Sequence, residues 1–317
     1  MRSPGWIKRF DWWHELTLLV LLIGLMSMAG ALMPRFVNVR SQLSLSKQLW
    51  EMAILALPMT LIIITGGIDL SVGSTMGLCA VAFGIAFQQT ESVIVSSVLC
   101  ILVGAVCGGF NGFLISRFRV HPLITTLATY AAFRGIAAGI SQGKSYSRFG
   151  SDFSQVARAD WNGVPLTAFL FLGLAIIFAV LLSKTPTGRF VYAIGHNEKA
   201  ARFSGVNVDR IKWMLYTLSG LFAGLATIIY ISKFDTAKAD AGRGFELDII
   251  TAVVVGGTSI FGGRGNILGT VLGLLLIHET RLFVRGYWQV DELRSIVIGF
   301  LLIFSVLVYR LISSERE

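Results

Sequence analysis

The chain has 317 residues, of which 54% are hydrophobic and only 14% are charged, and its net charge is +9. A mean hydropathy of +0.72 is rare for a soluble domain of this size, so the composition predicts an all-α polytopic membrane protein. The Lys and Arg residues form no run dense enough to indicate a nucleic-acid partner. We therefore interpret them as parts of the loops that flank membrane spans.

About ten apolar stretches approach the length of roughly 20 residues that a helix needs to cross the hydrocarbon core. They lie near residues 16–33, 48–67, 68–88, 92–116, 121–141, 165–183, 213–232, 247–263, 266–284 and 294–312. The first stretch resembles a signal peptide in its basic flank, but its length and the spans that follow favour an uncleaved helix. We expect one transmembrane domain over residues 1–317, with residues 1–15 in the cytoplasm.

The segment from Thr65 to Ser74 is unusual because it places three glycines and Asp69 inside an apolar region. A helix broken at membrane depth leaves polar backbone groups that must be buried in protein or line a wet cavity. The segment therefore predicts a broken helix beside a transport path, where Asp69 and Ser71 can hydrogen-bond a substrate. The alternative is that Asp69 only caps a helix that starts at Leu70.

A second glycine-rich stretch lies between Gly256 and Gly265. Its first glycine pair, followed by Ser259, echoes the glycine pair and the aspartate of the earlier segment, as an internal repeat would. Broken helices at matching positions of two halves point to a transport path. Other glycines are expected to serve close helix packing instead. These are Gly104, Gly108, Gly112, Gly269 and Gly273.

The loop of residues 184–212 is too polar to span a membrane. Its six basic residues outnumber its two acidic residues, which predicts a cytoplasmic location. Asn197 can cap a short helix over residues 198–204, and Gly205 can end that helix. Such a helix at the membrane surface points to the docking of a partner. An ordinary capped turn between two spans is the alternative.

Three motifs, in this order along the chain, resemble those of one protein family. They are Thr65–Ser74, the loop Gly188–Gly205 with its Ala193-Ile194-Gly195-x-Asn197 core, and the stretch Glu246–Gly265 with its Gly256-Gly257-Thr258-Ser259 core. They are similar to motifs in permease subunits of monosaccharide ABC importers of the ribose, rhamnose and autoinducer types, within the branched-chain-permease superfamily. The resemblance runs from about residue 48 to the end of the chain.

The resemblance implies an importer of the bacterial inner membrane in which this chain is surrounded by membrane lipid. The distribution of Lys and Arg predicts that both termini lie in the cytoplasm. Two permeases, either two copies or two related chains, form the path. A separate ABC-type ATPase drives them, and a periplasmic sugar-binding protein delivers the cargo. The substrate path is then expected near Gly66, Gly67, Asp69, Ser71, Gly73, Gly256, Gly257 and Ser259. Coupling to the ATPase is expected at Arg189, Gly195, Asn197, Glu198, Arg202 and Gly205.

The cargo is expected to be a monosaccharide. His278-Glu279-Thr280 stands where ribose-type relatives carry an asparagine pair, so the resemblance favours rhamnose or another deoxy sugar. A furanose-like autoinducer or branched-chain amino acids are alternatives within the same architecture. An ion-coupled secondary transporter is a second class, with Asp69 or Glu279 as its ion site. Such a transporter has no need for the docking loop of residues 184–212.

The sequence predicts no catalytic, cofactor or metal site. The stretch Ala138–Ser145 misses a phosphate-binding loop at its first glycine, and it follows a membrane helix instead of a strand. The four histidines are scattered without the spacing of metal ligands. ATP hydrolysis is therefore expected only in the separate ATPase subunit.

Overall fold

The computed structural model describes residues 12–289 without a gap and, beyond them, residues 293, 296, 297, 299–301 and 303. The span predicted near residues 294–312 lies largely outside the described residues, and so do residues 1–11 of the predicted N-terminal segment. The described helices are α1 (Trp12–Leu32), α2 (Val39–Ser46), α3 (Trp50–Ile64), α4 (Val72–Thr90), α5 (Val93–Arg117), α6 (Pro122–Ser141), α7 (Ser151–Val156), α8 (Leu166–Lys184), α9 (Pro186–His196), α10 (Glu198–Phe203), α11 (Val208–Phe234), α12 (Phe245–Val255) and α13 (Ile267–Trp288).

Four two-residue strands complete the described secondary structure. They are β1 (Tyr146–Ser147), β2 (Asp160–Trp161), β3 (Val164–Pro165) and β4 (Thr236–Ala237). β1 pairs antiparallel with β4, and β2 pairs antiparallel with β3. Among the described helices, the seven that are long and apolar enough to cross a membrane are α1, α4, α5, α6, α8, α11 and α13. The predicted all-α polytopic fold is confirmed.

α3 and α12 are shorter than the sequence predicted. With 15 and 11 residues, they extend over about 22 Å and 16 Å at 1.5 Å per residue, less than the roughly 30 Å of a hydrocarbon core. The stretch predicted near residues 247–263 is therefore no single spanning helix. α3 satisfies the length criterion only when it is joined to α2, from which it is bent by 60°.

α3 occupies the centre of the bundle, where its residues from Glu51 to Ile64 are all buried. The sequence of α3 is apolar on nearly every side, and a helix of this kind is expected to bury all of its faces. α3 packs against α8, α11, α12 and α13. The longest of the described helices, α11, also packs against α4 and α5, so that α3 and α11 together form the core of the fold.

Glycines bring pairs of helices into backbone contact. A Cβ atom on Gly104 of α5 would collide with the carbonyl oxygen of Gly220 of α11. A Cβ atom on Gly269 of α13 would likewise collide with the carbonyl oxygen of Gly256, where α12 ends. Small residues at helix interfaces permit this close approach in membranes. The predicted packing role of these glycines is confirmed.

Residues 142–165 form a compact lobe, called the loop lobe here, at the end of the bundle opposite α9 and α10. Phe149 and Phe153 of this lobe pack against Phe83 of α4, with ring centroids 5.2 and 5.5 Å apart. The Ser232 hydroxyl of α11 accepts a hydrogen bond from the Ala157 amide at 2.9 Å. Pairing of Tyr146 with Ala237 adds a further attachment. The loop lobe is thus fixed to α4 and α11.

Two buried carboxylates in the same half of the bundle have ion-pair partners. Lys233, near the end of α11, forms an ion pair with the fully buried Glu51 of α3. Arg281 of α13 lies 2.9 Å from Asp248 of α12. A charge buried without a partner is far more costly than a paired one. These pairs therefore join α3 to α11 and α12 to α13 at the end that carries the loop lobe.

Candidate functional site: two helix breaks and a surface helix pair

The first helix break follows Ile64, the last residue of α3. The Gly66 amide donates to the Ile63 carbonyl at 2.9 Å, and the Gly67 amide donates to the Ile62 carbonyl at 3.0 Å. These two bonds form a Schellman motif, in which the residue after the helix adopts a left-handed conformation that glycine tolerates best. Gly66 has φ of +79° as the motif requires. The predicted break at this glycine pair is confirmed.

The second break has the same geometry. The Gly257 amide donates to the Val254 carbonyl at 2.9 Å, and the Thr258 amide donates to the Val253 carbonyl at 3.2 Å. Gly257 has φ of +90°. Gly257 is therefore the structural equivalent of Gly66, whereas the sequence comparison had paired Gly256 with Gly66. The two alignments differ by one residue, because the hydrogen bonds at the helix end determine the equivalence and are not visible in the sequence.

Asp69 lies at the centre of a buried polar network and is only 2% exposed. One carboxylate oxygen accepts hydrogen bonds from the Ser71 amide at 3.0 Å and the Ser71 hydroxyl at 2.6 Å. The other accepts a bond from the Ser219 hydroxyl of α11 at 2.9 Å. Asn111 of α5 donates its side-chain amide to the Ser71 hydroxyl at 2.7 Å. The network fastens the first break to α5 and α11.

The start of α4 differs from the expected one. The helix begins at Val72, with Ser71 in the N-cap position, whereas the capping alternative had it begin at Leu70. Asp69 accepts the amide two residues further on, so that its side chain closes a turn before the helix. This turn and the bond to Ser219 hold the carboxylate inside the protein in the described conformation.

Other predicted path residues lie at close packing contacts. A Cβ atom on Gly67 would lie 2.7 Å from the Tyr216 hydroxyl oxygen, and one on Gly73 would collide with the Glu246 carboxylate. Ser259 is 2% exposed, and its hydroxyl accepts the Phe261 amide at 3.2 Å. These contacts leave little room for larger side chains.

The docking loop contains two helices, where the sequence predicted one. α10 runs from Glu198 to Phe203, and the Asn197 side chain caps it by accepting the Ala200 amide at 2.9 Å. Gly205 has φ of +83° just past its end. The predicted short helix, its cap and its stop are confirmed. α9, which precedes it, was not predicted. Thr185 caps α9 and Pro186 begins it, which is a recognisable start signal.

Arg202 braces α10 against α11. Its guanidinium lies 3.0 Å from Glu198 and forms a two-pronged ion pair with Asp209. Lys212 contacts the second oxygen of Glu198 at 2.6 Å. The sequence expected Glu198 and Arg202 to be interfacial charges, but both are engaged within the chain.

The brace shifts the protonation of its members. Partial burial by itself raises the pKa of Glu198, but the hydrogen bonds and charges of Lys212 and Arg202 outweigh burial and hold that pKa below its usual range. The hydrogen bond to Asp209, followed by that to Glu198, raises the pKa of Arg202. Both side chains are therefore charged near neutral pH.

The two breaks and α9 meet in one place. The Gly263 amide donates to the Ile64 carbonyl at 2.8 Å, which joins the second break to the first. Gly195 of α9 packs so closely that a Cβ atom there would collide with the Ile64 carbonyl and the Gly263 amide. The Tyr192 hydroxyl donates to the Gly265 carbonyl at 2.6 Å, and burial raises the pKa of Tyr192 to about 12. The predicted path and coupling segments thus form one continuous contact.

α1 contacts the second break from the other side. The His14 ring lies 3.1 Å from the Val255 carbonyl, and a Cβ atom on Gly257 would clash with it. The Asn266 amide group donates to Glu15 at 2.8 Å. The sequence interpretation missed these residues, although two polar side chains at the start of an apolar helix were a visible signal.

Three further residues were missed. Asn111 was visible as a polar residue within an apolar span, and Ser219 was hidden among small residues of α11. Phe203 is 92% exposed at the end of α10. Among the described residues, no group of three or more His, Cys, Asp or Glu side chains is arranged to hold a metal ion.

The fold and the site define a class: a polytopic helical membrane protein with two broken helices and a surface helix pair in contact with both breaks. Comparison with known proteins gives the family. Residues 43–306 match the family of the permease component of the branched-chain amino acid transport system, and the chain belongs to it. The chain is also 36% identical, over 316 residues, to proteins named Autoinducer 2 import system permease protein LsrD from Yersinia pseudotuberculosis and Yersinia pestis. The match covers 98% of this chain and 94% of each relative.

Membership settles the transporter class. The chain is a multi-pass inner-membrane permease subunit of an ABC importer, and it is not itself an enzyme, since the ATPase is a separate subunit. The predicted family and the predicted division between permease and ATPase are confirmed. An ion-coupled secondary transporter is not supported.

Proposed function

We propose that this permease imports a furanose-like autoinducer across the bacterial inner membrane, within an ATP-driven complex. The relatives at 36% identity are named for the import of autoinducer 2, which favours this cargo over rhamnose or another deoxy sugar. The complex would contain a second permease, either a copy or a related chain, together with an ABC-type ATPase and a periplasmic binding protein. Both termini and the docking loop would lie in the cytoplasm.

One observation carries the ATP-driven part of the proposal: Gly195 of α9 contacts both helix breaks through backbone atoms of Ile64 and Gly263. A backbone contact without intervening side chains transmits displacement with little slack, because packed interiors resist compression. Movement of α9 and α10 would therefore shift the ends of α3 and α12 as rigid bodies. ATPase closure could then open and close the path between the breaks.

Phe203 supplies the contact to the ATPase. A large aromatic side chain that is 92% exposed, on a helix held rigid by the Arg202 brace, has the properties of an interface anchor. Lys199 and Ala200 are exposed on the same helix. The predicted coupling residues divide accordingly. Arg189 remains an exposed candidate for direct contact, whereas Gly195, Asn197, Glu198, Arg202 and Gly205 shape and brace the two helices.

The opposite end of the bundle would receive the binding protein. The loop lobe and residues 235–244 lie there side by side, joined through β1 and β4. Arg134 donates to the Ala239 carbonyl at 2.5 Å and the Ala241 carbonyl at 3.1 Å, which fixes the second of these segments to α6. A loaded binding protein that presses on this surface would act on α4, α6 and α11 together.

The docking role is tested by Phe203→Ala in the assembled complex. Loss of an exposed aromatic anchor is expected to cost roughly 2 kcal/mol of docking energy, which is about thirtyfold in affinity. The ATPase should then copurify poorly with the permease. Phe169→Ala is the matched control, because Phe169 is a partly exposed phenylalanine near the start of α8, at the end of the bundle opposite α9 and α10. Equal ATPase recovery from both variants would refute docking at Phe203.

The cargo is tested by uptake of labelled sugars into cells that express the complete transporter. Uptake of the furanose autoinducer, with no competition from rhamnose, is the expected result. Uptake of rhamnose alone would overturn the cargo and leave the importer class intact. Because the ATPase pull-down does not depend on the cargo, the two parts of the proposal can fail separately.

A further inference from the structure

A cavity of about 340 Å³ opens between the end of α5 and the start of α11. Phe113 and Arg117 of α5 form one side, and Arg210 and Trp213 of α11 form the other, with Arg119 at the rim. The two helices pack closely beneath it, because a Cβ atom on Gly112 of α5 would lie within 3 Å of the Trp213 backbone. The cavity is thus part of a rigid helix junction.

The cavity is strongly positive. Arg117, Arg119 and Arg210 are all exposed there, and within the described part of the chain none of the three side chains forms an ion pair. Its one acidic residue is Asp209, whose carboxylate is already held by Arg202. Three exposed guanidinium groups around one cavity are suited to bind an anion with several oxygens, such as a phosphate diester.

The walls of the cavity are apolar and face outwards. Phe113 and Trp213 are 47% and 43% exposed, and Phe110 continues the apolar surface along α5. Aromatic side chains beside arginines at the end of a membrane span mark the depth of the lipid headgroups. The buried Ser116 lies in the same wall and brings a hydroxyl donor. The cavity therefore offers cations to a headgroup and aromatic surface to the acyl chains below it.

We propose that this cavity binds the headgroup phosphate of an anionic phospholipid. A lipid fits better than an acidic partner protein, because the cationic rim continues directly into membrane-exposed aromatic surface. The start of α11 both lines the cavity and carries Asp209, the ion-pair partner of Arg202. A bound lipid would therefore stabilise the part of α11 that holds α10 in place. The assignment of this lipid to the cytoplasmic leaflet rests on the proposed function, whereas the inference that the cavity binds a lipid is independent of it.

The test is native mass spectrometry of the full permease, with its copurifying subunits, released from nanodiscs with and without phosphatidylglycerol. The variant Arg119→Gln with Arg210→Gln removes two cavity charges. The matched control, Arg35→Gln with Arg40→Gln, removes two exposed charges elsewhere. Each basic residue near an anionic membrane surface contributes to the binding free energy of the lipid. The loss of two such residues should therefore weaken retention of phosphatidylglycerol about thirtyfold. The control should retain the lipid as the parent protein does.

Several outcomes would overturn the proposal. Equal retention by the cavity variant and the parent would show that the lipid is not held there. Equal loss in both double variants would show a general effect of net charge. Displacement of phosphatidylglycerol by an excess of inorganic phosphate would identify a site for free anions. Loss of the ATPase from the cavity variant, with lipid retained, would assign the arginines to the protein interface.

Discussion

At the scale of single residues, Asp69 carries the clearest structural role. Its carboxylate accepts three hydrogen bonds, one from a residue of α11, while only 2% of the residue is exposed. A buried carboxylate with this many donors holds its surroundings in shape. We propose that Asp69 positions the first helix break and that a substrate reaches its carboxylate only in another conformation.

Asp69→Ala is expected to destabilise the permease by roughly 2 kcal/mol, because it leaves the donors of Ser71 and Ser219 without their acceptor. Ser219→Ala should cost less, on the order of 0.6 kcal/mol, since it removes one bond. Thermal unfolding in detergent gives both values, and uptake is measured in parallel. A normal unfolding temperature combined with abolished uptake would instead make Asp69 a direct path residue.

At the scale of elements, α10 is held to α11 by charges and to the breaks through α9. The brace of Arg202, Glu198 and Asp209 is partly exposed, so that solvent weakens each ion pair. Several pairs on one short helix nevertheless fix its direction. This direction matters because a helix of six residues has too few internal hydrogen bonds to be stable alone.

The brace has a defined pH dependence. Because the pKa of Glu198 is lowered in the folded protein, its contribution is complete above the usual pKa and is lost as the pH falls through the folded value. Hydrogen exchange of residues 198–204, corrected for intrinsic rates, should therefore stay constant from about pH 8 to about pH 5 and rise only in stronger acid. Glu198→Gln should exchange faster than the parent from about pH 8 to about pH 5 and should approach the parent in stronger acid, while Lys199→Gln serves as the control. Faster exchange of the parent near neutral pH would contradict this assignment.

At the scale of the whole molecule, α4 connects the two functional ends. Its N-cap residue, Ser71, belongs to the Asp69 network, and its residue Gly84 packs against Tyr146 of the loop lobe. The same break contacts Gly195 through Ile64 and Gly263. A continuous series of packing and hydrogen-bond contacts therefore runs from the loop lobe to the docking loop. Its role in signalling rests on the proposed function.

Gly84→Val tests this connection. A larger side chain would collide with the Tyr146 ring and displace the loop lobe, at a cost of roughly 1–3 kcal/mol. In the assembled complex, ATP hydrolysis without binding protein should persist, while its stimulation by loaded binding protein should fall. Gly24→Val is the control, because Gly24 of α1 has open space around it. Full stimulation in the Gly84 variant would show that the loop lobe does not carry the signal.

Much of the architecture could be predicted from local patterns. Apolar stretches located the long helices, and the Asn197 cap with Gly205 located α10, because these signals act within a few residues. The sequence indicated a break at the glycine pair 256–257, but the span near residues 247–263 was expected to continue past it. α12 ends at Val255, because the Gly257 amide turns back to close the helix.

The sequence by itself determined the membrane class, the two glycine breaks and the capped docking helix, since hydrophobic length and end-capping are properties of short segments. Only the tertiary structure decided which of the predicted residues touch. It placed Gly195 against both breaks, enclosed Asp69 between α5 and α11, and turned Arg202 inwards while leaving Phe203 exposed. The physical reason is that these contacts join residues far apart in the chain, and their geometry depends on how whole helices pack.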